Sequence, residues 1–248
     1  MTRGRLAGLL LPPAGWLLLF LLVPAGFIVV AAFEGGGLEV LGTASTFGLV
    51  RRSLVMAVLS TMLCLLLGYP LAWFIAGCRP RARNLLLFLV VLPFWTNLLV
   101  RTYALLFLLR PFEWHHTPGA VLLGITHNFL PFMVLPLYGS IERLPRSLLE
   151  AAQNLGASPA RAFVKVALPL TAPGIAAGCI LVFIPALGTF AIPELLGGAS
   201  VRMIGSQIDH CFRHRDPAAG AALTLLLIAV TLGLTWVYHR LRRTGGIV

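Results

Sequence analysis

Residues 147–169 read Ser-Leu-Leu-Glu-Ala-Ala-Gln-Asn-Leu-Gly-Ala-Ser-Pro-Ala-Arg-Ala-Phe-Val-Lys-Val-Ala-Leu-Pro, a polar island between two long apolar runs. Ser147 and Glu150 have the spacing of a capping box, which predicts a helix start there. Gly156 sits where a short helix needs a left-handed stop. Ser158 and Pro159 predict a restart, with Ser at the N-cap and Pro in the first turn, where its missing N–H costs nothing. Pro169 is expected to end that second helix. Ala151 and Ala152 leave a smooth flank that a partner can approach closely. The pattern is a helix–Gly–helix finger. The alternative, a surface hairpin without a partner, requires neither cap, hinge nor small residues in that order.

The apolar runs on either side fix the solvent. Of 248 residues, 58% are hydrophobic and 11% charged, and the mean hydropathy is +0.92. Such a chain is dissolved in a bilayer. The net charge of +11 rests almost wholly on arginine, 18 of the 19 basic residues. In a soluble protein that balance would suggest nucleic acid. Here the basic residues lie in short segments between apolar runs, which is a topology signal, and no nucleic-acid partner is expected. The four cysteines, at 64, 78, 179 and 211, include no CxxC pair and indicate neither a disulfide framework nor a zinc site.

Six runs are long enough to cross as helices: about 6–33, 53–77, 84–109, 118–140, 171–196 and 218–239. Each reaches the ~20 residues that a hydrocarbon core requires. Continuous rather than alternating apolarity excludes strands. The first run follows Arg3 and Arg5 as a signal peptide would, but it is about twice a typical signal core and carries Pro12 and Pro13. It reads as an uncleaved span, with cleavage after Ala31 or Ala32 as the alternative. The fold class is therefore an all-α integral membrane protein with six transmembrane helices in a single domain over residues 1–248. Pro70, Pro93, Pro131, Pro136, Pro185 and Pro193 fall inside or near the ends of spans two to five, so kinked helices are expected. They either surround a path or serve packing alone.

Orientation follows from the basic residues. With the N-terminus inside, the inner segments carry 12 Lys and Arg and the outer ones 6, leaving Arg101 within a span. This bias puts both termini and the 147–169 finger in the cytoplasm.

Chemistry within the chain is narrowly bounded. The only lysine is Lys165, flanked by Val164 and Val166, so no Gly-Lys-Ser/Thr phosphate loop exists. HExxH and GxSxG are also missing, and the chain reads as no enzyme. Asp209-His210-Cys211-Phe212-Arg213-His214 and His115-His116 are the nearest metal-like groupings. Arginines beside the first disfavour a cation, and no metal is expected. Arg101 must face a cavity, pair, or snorkel outward, because an unpaired charge is costly in lipid. Trp95, Thr96 and Tyr103 either line a path with it or mark the interface. Glu194 either attracts a cationic solute at the mouth or is a hydrated helix-end carboxylate.

From about residue 51 to 240 the chain resembles the permeases of binding-protein-dependent ABC importers with the type I importer fold. The finger matches their EAA loop, EAA-x3-G-x9-I-x-L-P, with Val166 in the Ile place. Other words resemble the spermidine/putrescine branch: Leu67-Gly68-Tyr69-Pro70-Leu71-Ala72, Leu92-Pro93-Phe94-Trp95-Thr96-Asn97, Val100-Arg101-Thr102-Tyr103, Leu130 to Tyr138, Ile184 to Gly188 and Pro193 to Gly198. The resemblance implies one permease half of an importer for a small polar solute, a polyamine or another solute of the same branch. It also implies a second homologous permease making a heterodimer, a cytoplasmic ATPase dimer that binds the ATP and Mg, an extracytoplasmic solute-binding protein, and a bacterial inner-membrane location. The coupling residues implied are Glu150, Ala151, Ala152, Gly156, Ala157, Leu168 and Pro169. Those implied for the path are Trp95, Thr96, Arg101, Tyr103, Thr189 and Glu194. Thr189 stands where polyamine-type permeases usually carry an acid, and the 110–118 connection is short.

Overall fold

A lipid-embedded backbone must satisfy its own N–H and C=O groups, and nearly every ordered segment here does so as a helix. A computed structural model describes residues 3–244; both chain ends, whose cytoplasmic placement was expected, lie outside the described residues. In chain order the helices are α1 (Arg3–Phe33), α2 (Ala44–Gly77), α3 (Pro80–Val91), α4 (Leu98–Leu109), α5 (Pro118–Glu142), α6 (Arg146–Asn154), α7 (Pro159–Leu170), α8 (Ala172–Gly188), α9 (Ile204–Arg213) and α10 (Pro217–Thr244). Four stretches are whole candidate spans: Gly15–Phe33, Ala44–Gly77, Pro118–Glu142 and Pro217–Trp236. Two further spans exist only if bent pairs count as one each: Pro80–Trp95 with Leu98–Phe112, at 96°, and Pro159–Leu170 with Ala172–Gly188, at 66°. Six spans are thus compatible with the fold, but the third and fifth are not the continuous helices their apolar runs predict.

Each break has a local cause. Pro93 supplies no N–H, the chain tightens into a 3-10 turn over Leu92–Trp95, and Thr96 is extended. Asn97 then caps a new helix, its Oδ1 accepting from Leu99 N at 2.8 Å. In the fifth run α8 ends at Gly188, Thr189 is extended, and a π-helical turn follows at Pro193–Gly197. Pro193 cannot donate to the Thr189 carbonyl, so the helix has one fewer bond holding it through that point. Between α7 and α8, Pro169 and Pro173 lie four residues apart and each removes a donor. Thr171, between them, bridges the bend with its Oγ1 on Ala167 O at 2.8 Å.

The chain forms two compact units: residues 3–49 with 207–244, and Val50–Ser206. In the second unit α5 is the most enclosed span, 61% buried against 6% for the first span. Its most extensive packing is with α8. Gly174 and Gly178 make this approach possible: a Cβ on Gly174 would lie 2.7 Å from Pro136 O, and one on Gly178 2.6 Å from Met133 Sδ. Small residues four apart let helix backbones meet closely where no hydrophobic effect drives them together. In the other unit α1 packs on α10 through Ala32, Ala221 and Ala222, while Phe20, Phe27 and Phe33 of α1 are turned outward.

Candidate coupling loop and translocation path

The finger is α6, a left-handed turn, and α7. Its start differs from the expected capping box: the N-cap is Pro145, without a side-chain cap bond, and Ser147 is already helical. Proline fixes its own φ near helical values and offers its carbonyl to Leu148 N at 3.1 Å, which moves the start upstream. The stop is as expected. Gly156 has φ +88°, Gly156 N donates to Gln153 O at 2.9 Å, and Ala157 N donates to Ala152 O at 3.0 Å. These paired bonds are a Schellman motif. Ser158 caps α7, its Oγ accepting from Arg161 N at 3.3 Å, and Pro159 opens the helix. Pro169 does not end α7. A π-helical turn at Phe163–Ala167 absorbs the irregularity, and the helix runs on to Leu170 before bending at Thr171.

The finger is open to its surroundings. Glu150, Ala151, Gly156 and Pro169 are exposed, Ala152 and Ala157 half-buried, and Leu168 37% exposed. Leu155 at the tip is 90% exposed, a site that sequence reasoning passed over although an apolar residue before a helix-stopping glycine was there to see. Behind the finger, a cleft of about 600 Å³ is lined by Trp73, Arg83, Glu142, Glu150 and Gln153 among others. Arg83 and Glu142 pair across it at 2.9 Å. A second, apolar cavity of about 560 Å³ lies between α2 and α7. Phe163 sets its ring edge-on against Tyr69 and Trp73, at 5.4 and 5.7 Å. The Tyr69 hydroxyl meets Thr171 Oγ1 at 2.9 Å, tying α2 to the bend below α8.

The six residues expected to border a path fall at or just after two breaks. Trp95 and Thr96 form the first; Trp95 is 74% exposed and edge-on to Phe88 at 5.6 Å, and Thr96 Oγ1 donates to Pro93 O at 2.8 Å. Arg101, half-buried, follows in the first turns of α4, with Tyr103 exposed beyond it. Thr189 forms the second break and Glu194, exposed, lies in the π-helical turn after it. That turn packs on α4 and α5, where Gly124 admits Ile192 and Leu196. Arg101 and Glu194 form no ion pair. His127 on α5, not foreseen, lies within electrostatic reach of Arg101.

The metal-like groupings are otherwise engaged. Asp209 is held by Arg213 at 2.7 Å, the His210 and His214 rings stack at 3.8 Å, and burial pushes the Cys211 thiol upward. Among the described residues no group of three or more potential ligands comes together. His115 and His116 meet edge-to-face at 4.7 Å.

A bundle of broken apolar helices carrying an exposed, doubly capped finger defines a transport permease. Residues 65–244 match the family described as binding-protein-dependent transport system inner membrane components, and the chain belongs to that family: it is a multi-pass inner-membrane permease subunit of an ABC importer. Among its relatives, the spermidine/putrescine transport system permease protein PotB of Escherichia coli is 40% identical over 92% of this chain and 94% of the relative. PotB of Haemophilus influenzae is 38% identical over 91% and 90%. A probable molybdenum ABC transporter permease of Haloferax volcanii is 30% identical over 94% and 90%. A bacterial alginate ABC transporter, solved with an alginate-bound periplasmic protein, shares the fold with TM-score 0.78 at 18% identity, covering 98% of this chain and 95% of that one. The MetNI methionine ABC transporter gives 0.62 at 18% identity, covering 83% and 99%.

Proposed function

We propose that this chain is one half of the membrane pathway of a polyamine importer, paired with a distinct second permease. The observation that carries the substrate is the 40% identity to a spermidine/putrescine permease over nearly the whole of both chains. An extracytoplasmic binding protein delivers the solute, and the permease pair offers a polar, weakly attractive conduit. Trp95, Thr96, Arg101, Tyr103, Thr189 and Glu194 border that conduit at the two breaks, where extended backbone exposes carbonyls that a continuous helix would consume.

ATP and Mg are bound and ATP is hydrolysed by a cytoplasmic ATPase dimer, since this chain has no phosphate loop. The finger docks there through Glu150, Ala151, Ala152, Gly156 and Ala157, with Leu168 and Pro169 at its root, and both termini face the same compartment. Closure of the ATPase pair moves the finger and switches the pathway between inward-open and outward-open states. The exposed tip and the tightly hydrogen-bonded Gly156 turn support this reading. Uptake of labelled spermidine and putrescine into cells lacking the gene tests it. Uptake should vanish on deletion and return with the gene; unchanged uptake, or a companion binding protein that binds no polyamine, retires the substrate and leaves the permease class standing.

A further inference from the structure

Arg101 is placed where a positive charge has no counterpart among the described residues of its own chain. Its Nε and Nη1 are occluded from solvent and have no hydrogen-bond partner, which leaves Nη2 as the nitrogen still open. Arg83–Glu142 and Arg213–Asp209 are ion pairs among the described residues, and neither involves Arg101. His127, exposed on α5, lies within electrostatic reach, and the first turn of α4 puts the positive end of its helix dipole nearby.

Two simpler fates for this charge fail on geometry. Side chains on a helix lean toward its N-terminus, so Arg101 leans toward the Thr96–Asn97 break and away from the Leu109 end, where it would have to snorkel. Its exposed neighbours on α4, Val100, Tyr103 and Phe107, turn away from this chain's own core, but an unpaired guanidinium among them is disfavoured against hydrocarbon. A polycationic solute, for its part, is repelled by Arg101.

The geometry points to a carboxylate on a membrane span of the second permease as the group that closes on Arg101 when the two permeases assemble. This rests on the proposed pairing with a distinct permease in a polycation importer. The carboxylate cancels the charge that would oppose the solute, and a buried pair whose partners come from different chains makes assembly selective for the correct second subunit.

The test uses this chain, the second permease and the ATPase co-expressed and purified through a tag on this chain. In a cysteine-free background, Arg101→Cys is combined in turn with a cysteine at each intramembrane Asp or Glu of the second permease. One combination is expected to form a disulfide under mild oxidation, and none doing so overturns the inference. With native cysteines restored, Arg101→Glu should lower the second permease retained by roughly tenfold, while Arg101→Lys keeps it within about threefold. Reversing the cross-linked carboxylate to Lys should restore retention by Arg101→Glu. If Arg101→Glu leaves the pair intact and alters only uptake, Arg101 meets the solute and the inference fails. A wild-type chain that pairs only with itself overturns it as well. A wild-type heteromeric pair that cross-links but takes up no polyamine retires the substrate and leaves the ion pair in place.

Discussion

Replacing Gly156 separates two ways in which the finger can fail. Its φ is +88°, and a Cβ built there meets no atom within 4 Å. Within this chain the whole penalty of a side chain is therefore conformational, on the order of 1–2 kcal/mol for a residue forced into left-handed backbone. That penalty lowers the occupancy of the docked shape by roughly 5–30-fold. Asparagine visits the left-handed region more readily than alanine because its side chain bonds locally to the backbone. Gly156→Asn should thus retain several-fold more uptake than Gly156→Ala, although it is the larger change. Gly156→Asp tolerates the same backbone but adds a charge beside the apolar tip at Leu155, and should fall below Asn. Uptake of labelled spermidine is measured at matched membrane levels of each variant, with ATPase retention on the purified complex as the second readout. If Ala equals or exceeds Asn, the left-handed turn does not limit coupling and the space beside Gly156 is filled by the ATPase, which refutes the reasoning.

Leu155→Ala should leave the folded permease unchanged, since the side chain is 90% exposed. It should weaken ATPase retention by roughly 2 kcal/mol, about 30-fold, if the tip is buried on docking. Gly174→Ala drives a methyl against Pro136 O and Ser140, and its thermal midpoint in detergent should drop by several degrees with loss of uptake, whereas Ala176→Gly should lose only what helix propensity dictates, about 1 kcal/mol. Tyr69→Phe removes the bond to Thr171 and should cost about 1 kcal/mol of stability, read as a lower midpoint with a normal membrane level. In a cysteine-free background, a thiol reagent applied outside should label Leu38→Cys and spare Ser158→Cys; the opposite pattern reverses the proposed orientation.

What could be read from residues alone was what short-range rules decide. Gly156 and Ser158-Pro159 carried their geometry openly, because a left-handed stop and an N-cap depend on a few adjacent atoms. The start of α6 did not, since Pro145 and Ser147 both suit a helix entrance and the choice fell to backbone geometry at Pro145. The two breaks were concealed by continuous apolarity: hydropathy reports which solvent a run prefers, not whether its hydrogen-bond ladder is unbroken. Asn97 after Thr96 was the local signal for the first, and Pro193 four residues beyond Thr189 for the second. The candidate residues on the finger sit along one short stretch. Those expected for the path are spread over both breaks, on different helices, and no reading of nearby residues brings these together. The close α5–α8 approach went unread, although Gly174 and Gly178 are spaced for it, because the run there looked like any lipid-facing helix.

The 66° bend at Thr171 gives α7 the mechanics of a crank. A helix of this length is an arm of ~18 Å, so a turn of about 10° about Thr171 sweeps its far end by ~3 Å. The reverse also holds: a few ångströms of travel imposed at Ser158 arrive at the root of α8 as a rotation. Because Thr171 is clamped to Tyr69 on α2, that torque is shared by two spans at once. The chain thereby trades a long, soft displacement at the tip of its finger for a short, stiff one where the helices are packed on glycine, which is the gearing required to move close-packed helices without prying them apart.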